Sequence, residues 1–179
     1  MLHISKPVFK QKLMPVNIII YDDNLTLRES LVNLIALNAD YKIGGSFSGC
    51  NTVVQQVMEI QPDVILMDID MPGINGIEAV KVIRAVDRTV QIIMLTVFDD
   101  NTHVFDALCA GANGYLLKKY VSDKLIHAIQ DVLEGGAPMS PSIARMVINN
   151  MQQPAPKGDY QLTSREKEIL QLLSQGNSF

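Results

Sequence analysis

The residues best equipped for chemistry stand in four similar places, each directly after a short apolar run. Val16-Asn-Ile-Ile-Ile-Tyr21 ends in Asp22-Asp23, Val64-Ile-Leu-Met67 in Asp68, Val90-Gln-Ile-Ile-Met-Leu95 in Thr96, and Gly114-Tyr-Leu-Leu117 in Lys118. Three carboxylates brought to one place repel unless they are protonated or neutralised, and a hard divalent cation such as Mg²⁺ is the natural remedy. It takes oxygen ligands, is usually held by one or two carboxylates plus water, and leaves positions for phosphoryl oxygens. A carboxylate beside it can attack phosphorus and form an aspartyl phosphate. The transfer then needs mainly positioning and neutralised charge, for which Lys118 supplies a cation and Thr96 a hydroxyl donor. Each residue alone has a plain structural reading: Asp23 or Asn24 as a helix cap, Thr96 as an ordinary strand end, Lys118 as a solvated cation. It is the joint occurrence at four strand ends that favours chemistry.

Those residues must be positioned by a sheet. An unbroken apolar run without alternation suits a parallel strand covered on both faces, and Asp63–Met67 has this form. Pro72, Gly73, Asn75 and Gly76 form a turn cluster, and Ile77, Val80, Lys81 and Arg84 then restart at helical spacing to Val86. Helices are likewise expected from Leu25 to Ile35, from Thr52 to Ile60, and from Asp100 to Ala110 with Asp99-Asp100 as cap and Gly111 as stop. Another follows Ser122-Asp123 as cap and is ended by Gly135-Gly136. Tyr41–Ser48, with Gly44-Gly45, is a weak strand suited to a sheet edge. Five strands alternating with helices imply a parallel sheet with right-handed crossovers, whose carboxyl ends form the ligand-binding edge.

Beyond this α/β region, Pro138–Met151 reads as a further helix with Ile143, Met146, Val147 and Met151 on one face. Gln152–Tyr160, with two prolines and a glycine, reads as a linker. Thr163 and Glu166 form a capping box opening a helix that Gly176 ends. The expected organisation is an N-terminal arm at 1–15, the α/β domain at 16–135, a linker with a helix at 136–160, and a last helix within 161–179.

Composition narrows the partners. With 179 residues, 47% hydrophobic, and a net charge of −4, the chain can bury a normal core and has no global electrostatic case for nucleic acid. No window approaches the ~20 apolar residues of a membrane span, and no secretory signal is expected at the start. Cys50 and Cys109 are far apart and in no ligand spacing, so both are expected to be reduced, small hydrophobes.

Asp22-Asp23, Met67-Asp68 with Met71-Pro72 and Gly76, Thr96, and Gly111-Ala-Asn-Gly-Tyr-Leu-Leu-Lys118, in this order, resemble the receiver domain of a bacterial two-component response regulator over about Val16–Leu133. The resemblance implies the flavodoxin-like, doubly wound sheet of five parallel strands in the order 2-1-3-4-5. It also implies site roles: Asp68 as phosphoacceptor, Asp23 as Mg²⁺ ligand with Asp22 in support, and Asp70 as the residue whose backbone carbonyl completes the coordination. Thr96 and Tyr115 would be the switch residues, with Tyr115 repacking inward on phosphorylation, and Lys118 the phosphate-binding cation. Leu162–Gly176 resembles the first helix of the helix-turn-helix domain of the LuxR/NarL/FixJ class. The second and third helices do not follow, so the all-α fragment is incomplete and DNA reading is expected of the full-length parent only. A sensor histidine kinase, a homodimer and a cytoplasmic setting are the partners and place so implied.

Departures and rivals sharpen these expectations. Val97 stands where the family usually carries Ala or Gly and could restrict access to Asp68, and Asp70 adds a carboxylate beside the site. His103 and His127 suggest no partner. Asp68-Ile-Asp70 also resembles the Asp-x-Asp signature of haloacid dehalogenase-type phosphatases, which form an aspartyl phosphate with Mg²⁺, but Pro72 replaces the Thr or Val expected there. A phosphorylation-independent dimerisation module is the remaining alternative.

Overall fold

The computed structural model describes residues 14–152. The chain divides into two units, Met1–Val147 and Ile148–Phe179, and the architecture that follows is that of the first. Residues 1–13 of the expected arm at 1–15, and the helix-turn-helix fragment, lie outside the described residues.

The strands are β1 (Val16–Tyr21), β2 (Tyr41–Phe47), β3 (Val64–Met67), β4 (Gln91–Thr96) and β5 (Gly114–Leu117). The helices are α1 (Leu25–Ala36), α2 (Val53–Ile60), α3 (Gly76–Val86), α4 (Asn101–Ala110), α5 (Val121–Leu133) and α6 (Pro141–Gln152). All strand pairs are parallel, in the order β2-β1-β3-β4-β5. This is the expected doubly wound, flavodoxin-like sheet.

Side chains alternate across a strand, and here both faces are apolar, so the sheet separates two cores. Ile19, Tyr21, Ile65, Met67, Ile92 and Met94 pack with Val53, Val57, Val80, Ile83, Val104 and Ala107 from α2, α3 and α4. Ile18, Ile20, Val64, Leu66, Ile93 and Leu95 face the other way, onto Leu31 and Ile35 of α1 and Leu125 and Ile129 of α5. Each isoleucine of β1 is wholly buried, a gain of about 1.5–3 kcal/mol per side chain. The continuous apolar runs are therefore two interleaved faces.

Local chemistry fixes most helix starts. Asn24, Asn75 and Asp100 accept hydrogen bonds from the amides of Leu27, Glu78 and His103, respectively, as N-caps. Two starts differ from the sequence reading. A 3₁₀ turn at Lys118–Tyr120 leads into α5, so Ser122 and Asp123 lie inside its first turn and do not cap it. Helix α6 begins at Pro141, three residues late, because the preceding residues are engaged elsewhere. The Tyr115 amide donates to the Pro138 carbonyl at 2.9 Å, and Met139 forms a parallel bridge with Tyr115. Pro141 opens the helix, while Ser140 Oγ accepts from the Ile143 amide at 3.3 Å. Ile143 is fully buried in the α2–α3–α4 core, with Met146 and Val147 packed against it.

Candidate functional site

Register carries the acids together. Tyr21 pairs with Met67 across β1 and β3, and the Asp68 amide donates to the Tyr21 carbonyl at 2.8 Å, so Asp22 and Asp68 leave neighbouring strands side by side. Met67 pairs with Met94 and Thr96 with Leu117, which brings Thr96 and Lys118 to the same edge. Asp22, Asp68 and Thr96 are buried, Asp23 is exposed, and the Lys118 side chain is mostly covered.

The centre is a three-way contact. Lys118 Nζ lies 2.7 Å from Asp68 Oδ2 and 2.8 Å from Asp22 Oδ2. The approach to Asp68 is a hydrogen bond, whereas the approach to Asp22 Oδ2 falls outside hydrogen-bonding angles and is an ion pair only. Asp68 Oδ1 accepts from the Ile69 amide at 2.8 Å. Burial pushes the Asp68 carboxyl above its ordinary range, with the Lys118 hydrogen bond and charge pulling the other way. Lys118 is raised on balance: burial disfavours its charge, but the two carboxylates outweigh that cost.

Carboxylate oxygens of Asp22, Asp23 and Asp68 lie within 4.8 Å of one another. One ammonium among three acids leaves negative charge uncompensated, and a donor set of carboxylates alone suits a hard divalent cation. Asp22 is held from several sides: its amide donates to the Phe47 carbonyl at 3.1 Å, its Oδ1 accepts from the Asn24 amide at 2.9 Å, and its carbonyl accepts from Arg28 Nη1. Gly76 lets α3 press onto this loop, since a Cβ there would stand 1.8 Å from the Asp68 carbonyl oxygen. Asp70 and Val97 are both exposed.

Thr96 and Tyr115 meet in one residue. Thr96 Oγ1 accepts from the Phe98 amide at 3.2 Å, and Tyr115 Oη donates to the Phe98 carbonyl at 2.9 Å. Tyr115 is already fully buried, so the expected inward repacking has no outward ring to start from in this conformation.

A family model for the response regulator receiver domain matches residues 18–130. The chain belongs to that family. The chain is 32% identical to the transcriptional regulatory protein DegU of Brevibacillus brevis over 180 residues, covering 91% of this chain and 76% of the relative. It is 30% identical to the nitrate/nitrite response regulator NarL of Escherichia coli K12, covering 90% and 76%. A LuxR-family two-component response regulator from Aurantimonas superposes with a TM-score of 0.72 at 30% identity, over 76% of this chain and 98% of that structure. The receiver is thus that of a LuxR/NarL-type response regulator, a phosphorylation-activated signal-transduction protein that controls transcription. Its relatives are transcriptional regulators, and among the described residues no helix is long and apolar enough to cross a membrane.

Several contacts escape sequence reasoning. Arg28 stands six residues after Asp22, in the first turn of α1, a spacing that hints at the clamp on the Asp22 carbonyl only once the strand end is known to be functional. His103, expected to lack a partner, lies 2.7 Å from Asp100 Oδ2 through Nδ1 and stacks on Phe98. The cysteines differ from each other: Cys50 is buried, with its thiol pushed up to about 12 mainly by burial, whereas Cys109 is exposed.

Proposed function

We propose that Asp68 accepts a phosphoryl group from a phosphohistidine of a sensor kinase in the cytoplasm, and that Thr96, Tyr115 and Lys118 convert its arrival into a change of conformation. The observation that carries this is Lys118 Nζ held 2.7 Å from Asp68 Oδ2 within the acid cluster. An Asp68 oxygen bonds to phosphorus while the P–N bond breaks, its electron pair returning to the imidazole nitrogen. Lys118 offsets the added charge of about −1.5 to −2, and the Thr96 hydroxyl, which accepts from Phe98, keeps its own proton to donate to a phosphoryl oxygen.

Asp22, Asp23 and Asp68, together with the Asp70 carbonyl, are the residues that would hold Mg²⁺. The carboxylate donor set and the buried Asp22 Oδ2, which accepts no hydrogen bond, fit such an ion. When bound, it supplies electrostatic neutralisation of the phosphoryl oxygens. The readout is a homodimer, with DNA bound through a LuxR-type output domain. The relatives' roles as transcriptional regulators support this reading. The protein also hydrolyses its own phosphoryl group and is otherwise no enzyme.

Treatment with acetyl phosphate and Mg²⁺ is expected to add one phosphoryl group per chain by intact mass, and Asp68→Asn to abolish it. Phosphorylation that persists in Asp68→Asn would overturn the assignment. Multiple turnover of a phosphomonoester would move it to the phosphatase class.

A further inference from the structure

Phe98 is bound to both switch residues, its amide to Thr96 Oγ1 and its carbonyl to Tyr115 Oη. Its main chain thereby spans the gap between the β4 end and the buried ring of β5. A loop residue in that role needs an anchor of its own. Its ring is only half-buried, at the fringe of the core. The anchor is His103, whose imidazole lies parallel to the Phe98 ring at 4.3 Å between centroids and 9° between planes.

His103 is itself locked. Its Nδ1 lies 2.7 Å from Asp100 Oδ2, and its amide donates to Asp100 Oδ1 at 3.1 Å, so the α4 cap residue grips both ends of the residue that grips Phe98. The His103 amide and ring hold the Asp100 carboxyl below its usual range, which keeps it an ionised acceptor. The contacts run Asp100, His103, Phe98, and then divide to Thr96 and Tyr115.

We propose that His103 is a positioning residue of the phosphoryl switch, whose ring stack on Phe98 presents the Thr96 hydroxyl to the phosphoryl group and holds Tyr115 inward. This rests on the phosphoacceptor assignment above. The stack does its work before any phosphoryl group arrives, so the loop does not have to be ordered at that moment. A stacked aromatic pair is worth enough to change the affinity for a phosphoryl mimic several-fold.

The test is binding of beryllofluoride, with Mg²⁺, to the whole chain as wild type and as His103→Ala, His103→Phe and Asp68→Asn. His103→Ala is expected to weaken binding about three- to tenfold, and His103→Phe, which keeps a stacking ring, to restore most of it. The Thr96 and Phe98 amide resonances should move in His103→Ala and return in His103→Phe. His103 is partly exposed, so neither variant should lose its melting transition. Binding by His103→Ala equal to wild type, or His103→Phe as weak as His103→Ala, overturns the role of the stack while leaving the phosphoacceptor reading intact. Wild type that fails to bind, or Asp68→Asn that binds equally well, overturns both.

Discussion

Asp68 is buried, and among the described residues its carboxylate accepts hydrogen bonds from Lys118 and the Ile69 amide. Its carboxyl is raised by burial more than the lysine lowers it, so the folded protein binds this proton more tightly than the unfolded chain does. Linkage then makes the residue destabilising above its folded pKa, with the cost fading as pH falls to the unfolded value near 4. Asp68→Asn is therefore expected to melt higher than wild type at pH 7 without divalent ions, with the two curves converging near pH 4. Equal melting temperatures at both pH values would contradict this. At this scale the sequence is legible where a residue ends an apolar run: Asp22, Asp68, Thr96 and Lys118 each announce a strand end. Phe98 and His103 carry no such mark, because their stack depends on how the loop after β4 turns into α4, and no periodicity records that turn.

Among the elements, α3 is tied to its neighbours at the end of the sheet opposite the acids, through a single side chain. Arg84 donates to the Gly111 carbonyl at 2.9 Å, the Val90 carbonyl at 2.8 Å, the Asp87 carbonyl at 3.3 Å and Asn113 Oδ1 at 2.6 Å. It joins the end of α3, the start of β4 and the turn between α4 and β5. Burial lowers its pKa, with Asp87 opposing, yet a guanidinium stays charged at any ordinary pH. Arg84→Met keeps much of the stem and leaves three carbonyls short of a donor, for an expected loss of about 2–3 kcal/mol by urea denaturation. Beryllofluoride binding should change little, since the acids are at the other end of the strands. Helical spacing placed Arg84 on α3 but could not reveal its acceptors, which are three main-chain carbonyls and the Asn113 side chain. The starts of α5 and α6 were obscured in the same way: Lys118–Tyr120 tightens into a 3₁₀ turn, and Pro138 and Met139 are drawn to β5, both through tertiary contacts.

Across the first unit, the sheet lies between the two cores, Tyr120 packs against both, and the β5 side is completed by chain that comes after α5. Gly114 makes room for that return: a Cβ there would stand 2.7 Å from Pro138 Cγ and 3.0 Å from its carbonyl oxygen. Gly114→Ala is expected to push Pro138 away and cost about 1–3 kcal/mol. It should also speed hydrogen exchange of the Tyr115 amide, which loses its acceptor, and unchanged exchange would show that the contact is not held in solution. An outermost strand with bare amides and carbonyls invites other chains to add to it. Here the proline beside Tyr115 has no amide to offer and the bridge is one residue long, so this border of the sheet is poorly shaped for strand-by-strand accretion. The β5 border is thus guarded by the same few residues that lead the chain out of the domain.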